Sequence, residues 1–355
     1  MANGIIGNTE IIGVSSAVPS LVRDVSDDAK AFGEDEARRI SEAVGVNRRC
    51  VVSPEICTSD LCFAAAERLL ADLRWDRGTV DALVFVSQTP DYILPATACI
   101  LHGRLGLAKQ CAALDVNLGC SGYVYGLWLI SHLIACGNVK RGLLLTGDTI
   151  SRIVSPQDRS TAPLFGDAGT ATALQYNAAA PPIFFELGTD GTGAKHLIVP
   201  AGGFRRPHTD ETARRTEREG GNVRSEEDLF MDGAEVFAFT LREVPPMIKA
   251  VLNASQWTAD SVDAFVMHQA NRFMLQHLAK RLRIPLEKMP FSLHEYGNTS
   301  VSSIPLTLSH ALSGDLKRKQ LRLVLAGFGV GLSWGAAALA CGPITSPDIV
   351  SVSGC

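Results

Sequence analysis

No two of the nine cysteines stand in a C-x-x-C spacing, and no cluster of His, Cys, Asp and Glu has metal-ligand spacing. Neither a metal site nor a disulfide framework is therefore expected. No apolar run reaches about 18 residues without a polar interruption, which argues against a membrane span. The N-terminal MANGIIGNTEIIGVSSAVP lacks a charged segment followed by a long apolar stretch, so no signal peptide is read there. A net charge of -4 gives no general attraction to nucleic acid or to an anionic membrane. The expectation is a cytoplasmic chain in a reducing compartment. Its cysteines, such as Cys62 in LCFAAA and Cys136 in LIACG, read as small buried hydrophobes.

What is present is an α/β pattern. The 355 residues exceed one typical core and point to two domains or two intimately packed halves. Hydrophobic residues at 46% and charged residues at 20% give a globular balance. VDALVFV (80–86), AALDVNL (112–118), GLLLTG (142–147), VDAFVMH (262–268) and LRLVLAG (321–327) read as strands buried on both faces. Helical patterns at 60–74, 95–105, 121–136, 232–254 and 270–283 alternate with them.

The chain repeats itself. Residues 69–85 align without gaps on 251–267, with six identities: Leu70, Trp75, Val80, Asp81, Ala82 and Val84 match Leu252, Trp257, Val262, Asp263, Ala264 and Val266. An offset of 182 residues, about half the chain, indicates duplicated domains and not a solenoid. The expected division is 1–180 and 181–355. Ser131-His132 and Ser309-His310 echo each other at an offset of 178, which carries Cys120 onto Asn298. The charged segment 205–228, poor in apolar residues, interrupts the second half. It reads as a solvated surface loop or as a lid over a substrate.

Cys120 lies between a strand end and an apolar helix. There it meets unpaired backbone N–H groups and the positive helix pole, which favour the thiolate. His268 sits at a strand C-terminus, where layered α/β proteins place their sites. A lone histidine there is usually a structural hydrogen-bonder, and Asn298 alone would pass for an Asx turn or a helix cap. Their company, and the equivalence of Asn298 with Cys120, raise both. The glycine-rich GFGVGLSWG (327–335) lacks G-x-G-x-x-G spacing and reads as a backbone loop bringing N–H donors to Cys120.

Four motifs in order, GCSG (119–122), HQAN (268–271), YGNTSVSSIP (296–305) and GFGVGLSWG, resemble β-ketoacyl-ACP synthase III. FGDAGTATAL (165–174) and LGTDGTGAKHLIVPAGG (187–203) are also similar to that family. The resemblance implies a thiolase fold, five layers α-β-α-β-α from two duplicated halves, usually a homodimer. It implies Cys120, His268 and Asn298 as catalytic residues, and an oxyanion hole from the backbone of Cys120 and Val330. It implies no permanently bound cofactor, with thioesters of CoA or of the ACP phosphopantetheine as substrates and acyl carrier protein as partner. Arg272, Lys280 and Arg281 fall on its carrier-binding helix. Arg38 and Arg39 fall where relatives grip CoA, although the expected Trp is missing. Leu94 stands where a Phe often lines the acyl pocket and reaches the partner subunit, so a larger acyl group is expected. These departures point toward a specialised pathway, such as polyketide or other secondary-metabolite biosynthesis, beside fatty acid biosynthesis. Competing readings are acyl transfer from Cys120 to an oxygen or nitrogen nucleophile, and a non-catalytic partner subunit. The intact Asn298 weighs against the first and the intact Cys120 against the second.

Overall fold

The structure is a computed structural model that describes residues 2–354; Met1 and Cys355, the last of the nine cysteines, lie outside the described residues. Two sheets form its frame. The six-stranded sheet runs Val350–Val352, Thr9–Pro19, Ala168–Tyr176, Arg141–Asp148, Ala82–Val86, Ala112–Val116. The five-stranded sheet runs Ala2–Ile6, Ile183–Thr189, Ser333–Cys341, Leu321–Gly329, Ala264–Met267. Each sheet thus takes one short end strand from the far terminus of the chain.

Strand periodicity explains the layering. Along Ala82–Val86, Leu83 and Phe85 join one apolar cluster with Cys62, Ala65 and Leu69 of the Thr58–Leu73 helix. Val84 and Val86 point the other way, into a central cluster with Val124, Leu127 and Ile130 of the Gly122–Ala135 helix. Along Ala264–Met267 the same alternation sends Val266 to the central cluster. Phe265 and Met267 go to a third cluster with the Gly233–Ser255 and Arg272–Leu282 helices. A side-chain period of two on each strand therefore yields three apolar cores between five layers.

The sequence repeat is also a repeat of local structure. Arg74 and Gln256 both close a helix in the left-handed conformation, at φ 53° and 58°. The next residues, Trp75 and Trp257, donate their backbone N–H to Leu70 and Leu252. Each indole carries a guanidinium, Arg141 at 4.8 Å and Arg322 at 5.5 Å. Asp81 and Asp263 accept from the backbone N–H of those same arginines, at 3.0 and 2.7 Å. The Trp–Asp spacing shared by both copies is thus a clamp that registers one strand on its parallel neighbour.

Three expectations need correction. Ala112–Val116 is not buried on both faces: its residues are exposed or half-buried, because it is the outer strand of its sheet. Cys136 is exposed, since it caps the C-terminus of its helix at the surface, and Cys99 is exposed as well. The 205–228 segment contains a short helix, Asp210–Ala213, and a two-stranded ribbon, Thr216–Glu217 with Val223–Arg224. It is pinned to residues 153–160. The N–H of Val223 donates to Gln157 at 3.2 Å, Ser155 Oγ donates to the Val223 carbonyl at 2.6 Å, and Arg224 pairs with Asp158 at 3.2 Å. No helix is long and apolar enough to cross a membrane among the described residues.

Candidate active site

Cys120 follows the 112–116 strand and precedes the Gly122–Ala135 helix, and it is buried. The turn between strands 321–329 and 333–341 folds down on it. Gly329, at φ 158°, leaves no room for a side chain: a Cβ there would stand 2.9 Å from Cys120 Sγ. That approach brings the backbone at Val330 up against the sulfur, on the wall of the same cavity. Ser121 Oγ and Ser333 Oγ, 2.7 Å apart, lock the two loops together.

The resting sulfur is a thiol. Burial pushes its pKa up to about 11, the Asp148 carboxylate adds to the rise, and the donors from Val330, Ser300 and Cys120 oppose it. The helix position alone suggests a thiolate; the apolar floor of the site outweighs it.

His268 extends the 264–267 strand, with its N–H bonded to the Ala326 carbonyl at 2.7 Å. Its Nδ1 lies 2.8 Å from Ser303 Oγ, and Phe328 meets the ring edge-on at 5.6 Å. Burial drives the imidazole pKa down to about 3, against the Ser300 backbone, so the ring is neutral. Asn298 is buried in the loop after Gly297, whose φ of 70° and contact with the Leu164 carbonyl leave no room for a Cβ. Asn298 Oδ1 accepts from the Ser300 N–H at 2.9 Å. The other face of that amide, the Nδ2 group, is left to donate.

Ser300 therefore joins all three residues. Its N–H holds Asn298, its backbone lies against the His268 imidazole, and it shares the wall of one cavity with Cys120. It does so at φ 50°, an uncommon conformation for a residue with a side chain. Cys120, Ser300 and Val330 open on a cavity of about 290 Å³, otherwise walled mainly by Ile150, Ile153, Phe165, Leu197 and Leu229. Gln88 and Asn117 add two carboxamides to its wall.

The remaining expected residues lie away from this cavity. Leu94 is 79% exposed and does not line its own chain's cavity. Arg38 and Arg39 are exposed on the Glu34–Val44 helix, where Arg39 pairs with Glu36 at 2.7 Å. Arg272 opens the Arg272–Leu282 helix and donates to the Glu42 carbonyl of that neighbouring helix. Lys280 and Arg281 are exposed in its last turn, about 12 Å further along. Sequence reasoning did not single out Ser300, Ser303 or Asp148. Asp148 ends a buried strand at its C-terminus, the same signal that marked His268.

Residues 114–191 match the family model described as 3-oxoacyl-[acyl-carrier-protein (ACP)] synthase III, and residues 252–341 match its C-terminal model. The crystal structure of a 3-oxoacyl-(acyl-carrier protein) synthase from Burkholderia xenovorans LB400 is similar with a TM-score of 0.94 at 47% identity, over 99% of each chain. A beta-ketoacyl-[acyl-carrier-protein] synthase III from Streptomyces coelicolor is 38% identical, over 84% of this chain and 88% of its own. One from Desulfitobacterium hafniense strain Y51 is 35% identical, over 92% of this chain and 96% of its own.

Proposed function

The chain belongs to the β-ketoacyl-ACP synthase III family, with its thiolase fold and its condensing activity, and on that premise we propose a ping-pong cycle centred on Cys120. Cys120 attacks the carbonyl of an acyl thioester on CoA or on a carrier protein. The tetrahedral oxyanion is held by the N–H groups of Cys120 and Val330. The first thiol leaves and a malonyl thioester takes its place. His268 Nε2 and Asn298 Nδ2 polarise its carbonyl, carbon dioxide departs, and the enolate attacks the acyl-Cys120 carbonyl. Each donor aimed at developing charge contributes roughly 3 kcal/mol. For Nε2 to carry the ring proton, Nδ1 must accept, and the Ser303 hydroxyl at 2.8 Å is in place to donate. The observation that carries this reading is the gathering of Cys120, His268 and Asn298 around Ser300 beside one apolar cavity.

The halves 1–180 and 181–355 act as two copies of one unit, with the chemistry at their junction. The acyl group is larger than acetyl, in keeping with the apolar cavity and with Leu94 in place of an aromatic residue. The basic face formed by Arg272, Lys280 and Arg281 receives an acidic carrier protein, and Arg38 and Arg39 lie on the helix beside it. A homodimer is favoured by the open edge of strand 112–116 and by the exposure of Tyr92, Ile93 and Leu94. No cofactor is required beyond the substrate thioesters. Intact-mass measurement after incubation with a panel of acyl-CoAs and acyl-ACPs tests the cycle. The native protein should gain one acyl mass and Cys120→Ala none; a covalent acyl adduct on the alanine variant would remove Cys120 from the role.

A further inference from the structure

The apolar cavity at Cys120 has two carboxamides on its wall, Gln88 and Asn117, that the cycle above does not use. Both stand just past the C-terminal ends of neighbouring parallel strands, Ala82–Val86 and Ala112–Val116, whose last residues are paired with each other. Strand ends of this kind are where layered α/β sheets meet a ligand.

Gln88 is the more deeply set of the two; it is half-buried, whereas Asn117 is exposed. Its carboxamide lies against Gly119, the residue before the nucleophile, so closely that a Cβ at Gly119 would collide with its Oε1. The backbone beneath it is fixed. The Gln88 N–H donates to Asp148 Oδ1 at 2.7 Å, Ser87 Oγ donates to the same atom at 3.1 Å, and Thr89 Oγ1 lies 2.7 Å from Thr58 Oγ1. The bond from its N–H is the one hydrogen bond of Gln88 among the described residues, and the Asn117 side chain has none. A firmly rooted amide therefore faces the cavity beside the reacting sulfur with its donors and its acceptor unspent.

The chemistry of the wall defines what those groups can hold. A carboxamide both donates and accepts, and so does a hydroxyl. A saturated acyl chain laid against Gln88 would strip water from the amide and return no hydrogen bond, whereas a hydroxylated chain replaces the water. A carboxylate on the chain is a poorer match, because no Lys, Arg or His lines the cavity among the described residues. The carbon skeleton itself is served by Ile150, Ile153, Leu197 and Leu229 on the rest of the wall.

We propose, on the reading of Cys120 as the acyl-carrying nucleophile, that the acyl group it receives bears a hydroxyl on one of the first carbons beyond the thioester, and that Gln88 selects it. Gln88 is a specificity-determining residue, and the substrate class is a short hydroxyacyl thioester. Asp148 has a positioning role in this arrangement, since it holds the turn that carries Gln88.

The rate of acyl loading onto the native protein, read by intact mass at timed intervals, is the test. The probes are butyryl-CoA with its 2-hydroxy and 3-hydroxy derivatives in both enantiomers, and the matching hexanoyl set. Loading precedes entry of the malonyl thioester, so it reports on the acyl group alone. At least one hydroxylated isomer should load ten or more times faster than its unsubstituted parent, because a site built to bond a hydroxyl discriminates against the analogue that lacks it. Gln88→Leu should bring that ratio to within about twofold of one, chiefly by slowing the hydroxylated donor. Gln88→Met makes the same comparison should Gln88→Leu fail to fold, with circular dichroism as the check. A native ratio below ten for every isomer overturns the inference. So does a ratio that survives in the folded variant: equal slowing of both donors would put Gln88 on the pantetheine arm they share. Loading of the unsubstituted acyl groups without preference sinks the inference alone and leaves Cys120 in its role. No loading by any member of the panel sinks both.

Discussion

At the scale of single residues, the proposed cycle divides the site into two sets of donors with different tasks. In it the N–H groups of Cys120 and Val330 serve the acyl carbonyl, while His268 and Asn298 serve the incoming malonyl thioester. Asn298→Ala should therefore still accept an acyl group on Cys120 yet lose decarboxylation by a factor of about 100 to 1,000, the range for one oxyanion donor. Release of labelled carbon dioxide from malonyl-ACP is the measurement, and an equal loss in acylation would contradict the division. Asp167 offers a residue-level test of pH dependence. It is buried, accepts from the N–H groups of Val52 and Ser151, and has its pKa raised from 3.8 to about 6 by burial. An acid whose folded pKa is raised stabilises the fold fully below pH 3.8. That stabilisation drains away as the pH climbs through about 6. Asp167→Asn, which cannot ionise, should show a smaller fall in Tm than the native protein between pH 4 and pH 7. Cys120, His268 and Asn298 were singled out in the sequence because each sits at an element end flanked by motif residues, and their roles stay part of the proposal. Ser300 was not, because a serine two places past an asparagine looks like any turn, and its role depends on a backbone angle that no sequence pattern displays.

At the scale of elements, the five strands and five helices expected from periodicity all appear, with ends displaced by a few residues. Alternation within buried strands is invisible when both faces are apolar, so the sequence could not tell which of Leu83 and Val84 faces the central helices. The outer position of strand 112–116 was equally hidden, because AALDV is apolar enough for an interior strand. The short helix and ribbon within 205–228 were missed for the opposite reason. Half of their residues are charged, and the ribbon is fixed by hydrogen bonds to Ser155 and Gln157 and the helix by Thr212 to Glu226 and Glu227, instead of by a hydrophobic face. The Arg272–Leu282 helix carries its own prediction. It buries Met274, Leu275, Leu278 and Ala279 and presents Lys280 and Arg281 outward, so reversing both charges should leave the fold intact. Lys280→Glu with Arg281→Glu should raise the carrier-protein KM severalfold, with an effect that shrinks as salt is added. A KM unchanged at low ionic strength would move the carrier to another face.

At the scale of the whole molecule, the open sheet edge at 112–116 and the exposed Tyr92, Ile93 and Leu94 bear on assembly. A lysine at the exposed Ala112 would place a charge on that edge strand, the device by which natural proteins block strand pairing. Ala112→Lys should elute as a monomer in size-exclusion chromatography with light scattering, where the native chain should elute as a dimer. A native monomer would withdraw the dimer. The exchanged end strands have a consequence for biosynthesis. Residues 2–6 pair antiparallel with 183–189, and 350–352 pair parallel with 9–19. On the ribosome, residues 2–6 must wait for nearly two hundred residues before their partner strand exists. The 9–19 strand keeps an unprotected flank until residues 350–352, more than three hundred residues later, have been translated. Neither half can finish its sheet alone, and an early-made sheet depends on a late-made strand to seal it.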